Sequence, residues 1–294
     1  MKRFARITGF AALAILVSLT ETLQAQEHHF IWRASKAGSS VVYFVGSVHM
    51  LTKDYYPLSP VLDQAFAESN LLVEEADLGE MLAPGSQLQL LSKGMLAANQ
   101  SLDRVVKPAT YALVAKHVGA LGMPLEPLKR FKPWFLSLTI LGLEWQKAGF
   151  DPDLGLDKHF YDRAQTNSTP VQGLETVAYQ LSRFDEMPMD EQDRMLAESL
   201  SDLETERENV TRLADAWRAG DAPTVEQIVL QGLKDDPAIY QRLLVDRNRN
   251  WLPAIEALFT RPGRTFVVVG AAHLVGPDGL IAVLKAKGYQ IQQL

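Results

Sequence analysis

Two apolar runs with the same internal pattern lie near the two ends of the chain. The first, residues 41–49, reads VVYFVGSVH, and the second, residues 265–273, reads TFVVVGAAH. Each is a short run rich in β-branched residues, followed by a glycine and, three positions later, by a histidine. Runs that are apolar at every position are typical of strands buried on both faces of a sheet. The pattern therefore predicts two buried strands that end in Gly46-x-x-His49 and Gly270-x-x-His273.

The segments around the first run predict a hairpin and a strand–helix–strand unit. Residues 30–33 and 41–45 flank a glycine-containing turn, as in a β-hairpin. Residues 60–69 carry apolar positions at helical spacing, and 71–77 is a second apolar run that ends in carboxylates. A strand, a helix and a strand in this order usually form a crossover with parallel strands.

The middle of the chain has mainly helical periodicity, from about residue 80 to about residue 245. It contains one β-like segment, 169–175, and a break at 221–223. A further helix is expected over 243–259. Helices are expected over residues 87–98, 108–118, 133–148, 156–166, 176–184 and 190–219. Beyond the second Gly/His run, a helix over 280–287 and a strand over 289–293 complete the pattern.

These elements predict an α/β (α+β) protein with a central mixed sheet. The N-terminal and C-terminal segments must supply that sheet together, because two strands alone are not stable in water. The helical middle, about 80–245, is then an insertion that could cover the sheet. We expect residues 26–294 to form a single domain.

Residues 1–25 have the three parts of an export signal. Lys2, Arg3 and Arg6 make a basic start, residues 7–19 are apolar, and Ala25 is a small residue suited to cleavage. The apolar run is shorter than the ~20 residues of a membrane span. We expect a cleaved signal peptide, a periplasmic or secreted protein, and no stable membrane span after cleavage. An uncleaved anchor is the alternative.

Charge and cysteine content exclude several classes of function. The formal net charge is −6 and the basic residues form no cluster, so no nucleic-acid partner is expected. The chain has no cysteine, which excludes disulfides, cysteine-based zinc sites and a cysteine nucleophile. It also lacks the local motifs of serine hydrolases and zincins.

The candidate chemistry lies where the predicted strands end. Ligands of α/β sheets bind beyond the carboxyl ends of the strands, and His49, His273, Glu75 and Asp77 all stand at such ends. Two histidines and a carboxylate are a recurring ligand set for catalytic zinc, manganese or iron. A lone histidine after a strand is more often structural, so the prediction depends on the matched pair. Glu74 and Glu75 compete, because alternation along a strand turns only one of them to the histidine side.

Three further residues are weaker candidates. Glu175 ends the β-like middle segment and could act on a proton or only favour the start of a helix. Arg247 could bind a substrate carboxylate or phosphate, or pair with Asp246 on the surface. Asp157 fits a helix cap about as well as a functional role.

Several short motifs together resemble the TraB/GumN family. Each is weak alone, but their order and spacing are specific and extend from about residue 30 to the C-terminus. They are Trp32, Tyr43-Phe44-Val45-Gly46-Ser47-Val48-His49, Tyr56-Pro57-Leu58, Leu72-Val73-Glu74-Glu75-Ala76-Asp77, Lys132-Pro133-Trp134, Gly155-Leu156-Asp157, Gly173-Leu174-Glu175-Thr176 with Gln180, Arg247-Asn248, and Gly270-Ala271-Ala272-His273-Leu274 with Gly276 and Gly279.

The resemblance implies a fold and a chemistry. The family is similar to animal membrane-tethered metalloproteases that cleave Wnt proteins with two Gly-x-x-His motifs, an acidic residue and a divalent cation. Their fold is related to those of erythromycin esterases and ChaN-like proteins. By motif position, the resemblance nominates His49, Glu75 and His273 as metal ligands, with Glu175 and Arg247 in support.

We therefore expect a metal-dependent hydrolase, most of all a peptidase, acting on a peptide or small-molecule substrate. Mn, Co or Zn would be held by His49, Glu75 and His273, with Glu175 or Asp77 moving protons and Arg247 binding negative charge. One alternative is a non-catalytic periplasmic binding or accessory protein in envelope or polysaccharide processes. A haem-binding or other metal-binding protein is a weaker one.

Overall fold

A computed structural model describes residues 28–201 and 203–294. The predicted signal peptide, residues 1–25, lies outside these ranges. No helix within them is both long and apolar enough to cross a membrane.

The centre of the protein is a six-stranded mixed sheet with the order β4-β3-β5-β2-β1-β6. Its strands are β1 (Ile31–Ser35), β2 (Val42–Ser47), β3 (Leu71–Ala76), β4 (Val171–Glu175), β5 (Thr265–Gly270) and β6 (Gln290–Gln293). Five strands come from the two ends of the chain and one, β4, from the middle. This confirms the predicted fold class, including the hairpin of β1 and β2.

The register of the central strands aligns the two Gly/His motifs. β5 lies between β2 and β3 and is parallel to both. Gly46 pairs with Val269 and Ser47 with Gly270, so β2 and β5 end at the same level of the sheet. Every residue of both strands is buried, as their continuous apolar sequences predict. The strand ends that carry His49 and His273 are therefore direct neighbours.

The remainder of the described chain is largely helical. The helices are α1 (Pro60–Ala67), α2 (Leu78–Leu82), α3 (Pro84–Gly94), α4 (Leu102–Val105), α5 (Pro108–Ala120), α6 (Leu125–Leu128), α7 (Pro133–Lys147), α8 (Leu156–Asn167), α9 (Val177–Asp185), α10 (Met189–Ser201), α11 (Leu203–Arg218), α12 (Ala222–Asp235), α13 (Pro237–Tyr240), α14 (Asp246–Leu258) and α15 (Leu280–Ala286). A π-helical segment, Gln241–Val245, joins α13 to α14.

Several helical boundaries differ from the predicted ones; the helix expected over 87–98, for example, is α3 (Pro84–Gly94). The helix expected over 190–219 is divided into α10 and α11. The break expected at 221–223 is instead the start of α12, where the Asp221 side chain accepts a hydrogen bond from the Thr224 backbone N–H. Pro223 is tolerated there because the first turn of a helix does not need its N–H groups.

The two largest buried apolar clusters stabilise the sheet and the helical insertion. The larger one surrounds the sheet and includes Phe44, Phe160, Trp251 and Phe266. The second lies within the helical insertion, where Leu102, Val114 and Leu136 are fully buried. The insertion thus has apolar packing of its own.

The loop that carries His49 is held in place by the start of α8. The Leu156 N–H donates to the Val48 carbonyl at 3.2 Å. A Cβ atom added at Gly155 would lie 2.1 Å from the His49 carbonyl oxygen, closer than atoms can approach. Glycine at 155 therefore lets the backbone of α8 dock against the histidine loop.

We expect Gly155→Ala to destabilise the protein by about 1–3 kcal/mol, because the added methyl group overpacks this contact. Urea unfolding of the variant measures the change. Gly142→Ala is the matched control: it places the same methyl group in the interior of α7, where nothing lies within 4 Å. It should stabilise the helix by about 0.5–1 kcal/mol. Equal effects of the two changes would contradict the docking role of Gly155.

Candidate active site

Five of the six residues predicted for the site come together at the carboxyl ends of the parallel strands. His49 follows β2, His273 follows β5, Glu75 lies near the end of β3, and Glu175 is the last residue of β4. Arg247 reaches them from the first turn of α14. The sequence separates these residues by up to 224 positions, and the sheet order brings them to one edge.

Arg247 is the centre of the group. Its Nε and Nη2 donate to Glu175 Oε1 at 3.1 and 2.7 Å, and its Nη2 also donates to Glu75 Oε2. The side chains of Arg247, Glu75 and Glu175 are only 8, 12 and 3% exposed. Breaking a buried ion pair leaves an uncompensated charge, at a cost of roughly 3–5 kcal/mol. Because the guanidinium carries a single positive charge, it compensates only part of the charge of the two buried carboxylates.

Each carboxylate has further hydrogen-bond donors. Glu75 Oε1 accepts from the Gly270 backbone N–H at 2.7 Å, and Glu75 Oε2 accepts from the Gln180 amide at 3.0 Å. Glu175 Oε2 accepts from the Trp251 indole N–H at 2.7 Å. These contacts fix the two side chains in one orientation.

The same neighbours act differently on the two pKa values. Burial disfavours ionised Glu75, but Arg247, the two histidines and the Gly270 N–H outweigh it and hold the pKa of Glu75 far below its usual range. For Glu175, burial outweighs the opposing effects of Arg247 and Trp251, so its pKa is raised. Glu75 is therefore the permanently ionised member, and Glu175 is the one closer to taking up a proton.

His273 is a neutral imidazole with a defined tautomer. The Asn248 amide nitrogen donates to the Asp278 and His273 carbonyls at 2.9 and 3.3 Å, which turns its oxygen towards the ring. His273 Nδ1–H therefore donates to Asn248 Oδ1 at 2.7 Å, and the free Nε2 accepts from Arg247 Nη1 at 3.0 Å. Burial lowers the pKa of His273 to about 3. Its Nε2 lies 3.7 Å from Glu75 Oε1.

His49 has the opposite environment. Its Nδ1–H donates to Asp157 Oδ2 at 2.8 Å, and the Ser47 hydroxyl donates to the same carboxylate oxygen. The Asp157 carboxylate raises the pKa of His49 to about 9, against the partial desolvation of the ring. The His49 side chain is 61% exposed and that of His273 is 6% exposed, so His49 is the histidine of this site that solvent reaches.

Gly270 marks the point where these groups converge. A Cβ atom added there would lie 3.1 Å from Glu75 Oε1 and 3.3 Å from His49 Nε2. Only glycine leaves this space to the two functional atoms. Glu75 Oε1 and His49 Nε2 thus both lie beside Gly270.

Glu74 and Asp77 lie apart from this group. Glu74 is 3% exposed on the opposite face of β3; its Oε2 accepts from the Leu78 N–H at 3.0 Å, and its Oε1 has no partner. Burial raises the pKa of Glu74 to about 8. Asp77 caps α2 by accepting from the Gly79 and Glu80 N–H groups. The role in proton transfer expected of Asp77 stays a prediction.

Four supporting residues were not assigned to the site by sequence reasoning. Asp157 was weighed equally as a cap, and Ser47, Gln180 and Asn248 were only members of short motifs. Asn248 directly follows Arg247 on α14, and both side chains contact His273. Asp157 is not next to any other site residue in the sequence, and its contact with His49 spans 108 positions.

The group meets the chemistry of a divalent-cation site only in part. Each histidine has one nitrogen anchored by a hydrogen bond, as metal-bound histidines usually have. However, Arg247 donates to His273 Nε2 and to Glu75, where a cation would need free lone pairs. Among residues 28–201 and 203–294, no three His, Asp or Glu side chains are grouped so that they could hold a metal ion. The three nominated ligands do not fit a metal in this arrangement, and the cation stays a prediction.

Comparison with known proteins defines the class to which this fold and site belong. The model of the TraB/PrgY/gumN family matches residues 30–293, and the chain is a member of that family. Among individual proteins, it is similar to the uncharacterized protein YbaP of Escherichia coli (strain K12) and to that of Shigella flexneri. Each is 23% identical over 261 residues, which cover 88% of this chain and 94% of the relative. No solved structure matches the chain.

We expect Asp157→Asn to lower the pKa of His49 from about 9 towards the ordinary value near 6.5, because the neutral amide removes the main charge that stabilises the imidazolium. NMR titration of the His49 ring measures the midpoint. Ser47→Ala, which keeps the Asp157 charge, should shift the midpoint much less. An unchanged midpoint in Asp157→Asn would show that the two side chains do not interact in solution.

We expect Glu74→Gln to make the free energy of unfolding less sensitive to pH. The pKa of Glu74 is higher in the folded protein than its ordinary value of 4.5, so its contribution to wild-type stability is present below about pH 4.5 and is lost as pH rises to about 8. The variant should therefore gain about 1–3 kcal/mol relative to wild type between pH 5 and 8. Urea unfolding at both pH values tests this, and a difference that stays constant would contradict it.

Proposed function

We propose that this protein is a hydrolase that cleaves an acyl C–N or C–O bond, above all a peptide bond, at the site formed by His49, Glu75 and His273. The observation that carries the proposal is the placement of His49. Its Nδ1 is held by Asp157, its side chain is 61% exposed, and its Nε2 lies beside Gly270, as Glu75 Oε1 does. A histidine held by a carboxylate on one nitrogen and open on the other is the usual form of a general base.

In this proposal His49 activates a water molecule. Its Nε2 takes a proton as the water oxygen bonds to the substrate carbonyl carbon, and Asp157 stabilises the imidazolium that forms. His49 then gives this proton to the leaving nitrogen or oxygen when the scissile bond breaks. Because a protonated His49 cannot act as the base, activity should rise with pH through the pKa of His49.

Arg247, Glu175 and His273 have positioning roles in this proposal. Arg247 keeps Glu75 ionised, so that Glu75 Oε1 can accept a hydrogen bond from the water beside His49. Glu175 and Asn248 in turn hold Arg247 and His273 in place.

The resemblance to Wnt-cleaving proteases favours a peptide substrate over other carbonyl compounds. The apolar segment near the N-terminus supports export to the periplasm or beyond.

A second candidate is a non-catalytic periplasmic binding or accessory protein that uses the same site. One observation favours it: the guanidinium of Arg247 is already shared among Glu75, Glu175 and His273. It therefore has little capacity to bind charge that develops in a reaction. Both candidate proteins would bind a ligand at this site, but only the hydrolase would convert it.

We expect His49→Ala to lower turnover of a peptide library by about 10²–10⁴-fold, the usual contribution of a general base. Mass spectrometry of the library after incubation with purified protein measures cleavage. The matched control is His28→Ala, which removes an exposed histidine outside the site and should leave cleavage unchanged.

The same assay with EDTA, and with added Mn²⁺, Co²⁺ or Zn²⁺, tests the predicted cation. Cleavage that survives EDTA supports the His49–Asp157 base acting alone. Cleavage that requires an ion in wild type and is lost in His273→Ala supports the cation site. Peptide binding without any cleavage, with or without ions, would contradict the hydrolase proposal and favour the binding protein.

A further inference from the structure

A cavity of about 640 Å³ lies within the helical insertion. Its walls come from α7, α10, α11 and α12, together with α13 and the π-helical segment 241–245. Its described lining includes none of His49, Glu75, Glu175, Arg247 and His273, so it is separate from the candidate active site. Pockets for small organic ligands usually occupy about 300–1,000 Å³, and this one has that size.

Most of the described lining is apolar. Trp145 of α7, Leu213 of α11, Ile228 of α12 and Leu243 of the π-helical segment contribute to it from four different elements. Water gains few hydrogen bonds from walls of this kind. An apolar ligand would bury the same surface without that loss.

Polar groups are gathered at the α10 and α11 part of the wall. Glu198 and Ser201 lie near the end of α10, and Asn209 lies on α11. Asp236 also lines the cavity, where it is paired with Arg194 of α10. The hydroxyl group of Ser201 and the amide group of Asn209 can hydrogen-bond the polar head of a ligand. The described lining is thus apolar along most of its surface and polar at one part.

We propose that this cavity binds an amphiphile with an aliphatic chain and a hydrogen-bonding polar head. The chain lies against Trp145, Ile228 and Leu243, and its polar head lies near Ser201 and Asn209. The Leu243 carbonyl accepts a hydrogen bond from Arg247 Nη1 at 3.3 Å. The ligand therefore contacts the same segment that supports the active-site arginine. The site itself does not depend on the hydrolase proposal.

The test uses 1-decanol as the probe and isothermal titration calorimetry on the mature chain. We expect saturable binding to wild type that weakens at least tenfold in Ile228→Phe and in Leu141→Phe, which fill the cavity from two different helices. Leu88→Phe is the matched control. It adds the same ring on α3, where Leu88 is 70% exposed, and should leave binding unchanged. Circular dichroism confirms that each variant is folded.

A second readout locates the probe. The quencher 10-bromo-1-decanol should reduce tryptophan fluorescence in wild type, and the reduction should be smaller in Trp145→Phe. Absence of saturable decanol binding would overturn the proposal, as would equal binding by wild type and both filling variants. These outcomes are independent of peptide cleavage, so they separate this proposal from the proposed function.

Discussion

The arrangement of the site depends on one buried guanidinium. Arg247 contacts Glu75, Glu175 and His273, which lie at the ends of three adjacent parallel strands. Without it, two carboxylates would be buried side by side, and at least one would have to take up a proton. Arg247 therefore links the ends of these three strands and also keeps Glu75 ionised. Trp251, one turn later on α14, adds a hydrogen bond to Glu175.

The two histidines of the matched motifs are chemically different because their surroundings differ. His273 is buried between Asn248 and Arg247, and burial keeps it neutral. His49 is exposed and faces Asp157, which favours the protonated form. Environments that move the pKa values of paired groups apart are typical of acid–base sites. The two Gly-x-x-His sequences give no sign of this chemical difference between the histidines. Asn248 and Asp157 are both distant in sequence from the histidine that each orients.

The fold could be predicted to a large extent from the sequence. Uniformly apolar runs identified β2, β3 and β5, because a strand buried on both faces needs no alternation. The order of those strands could not be predicted. β5 inserts between β2 and β3, and this choice depends on packing of the whole sheet. The start of α12 was read as a break, because Pro223 marks either a turn or a first helical turn in sequence.

By itself, the sequence determined which residue types stand at the strand ends: two histidines three residues after a glycine, and carboxylates at the end of the apolar run that begins at Leu71. Local pattern is enough for that, because strand periodicity and strand ends are local properties. Only the tertiary structure decided that Glu75 faces the histidines while Glu74 faces away, and that Asp157 and Asn248 orient the two rings. It also placed Arg247 among three possible metal ligands. Those contacts join residues more than 20 positions apart, and only the packing of strands and helices sets them.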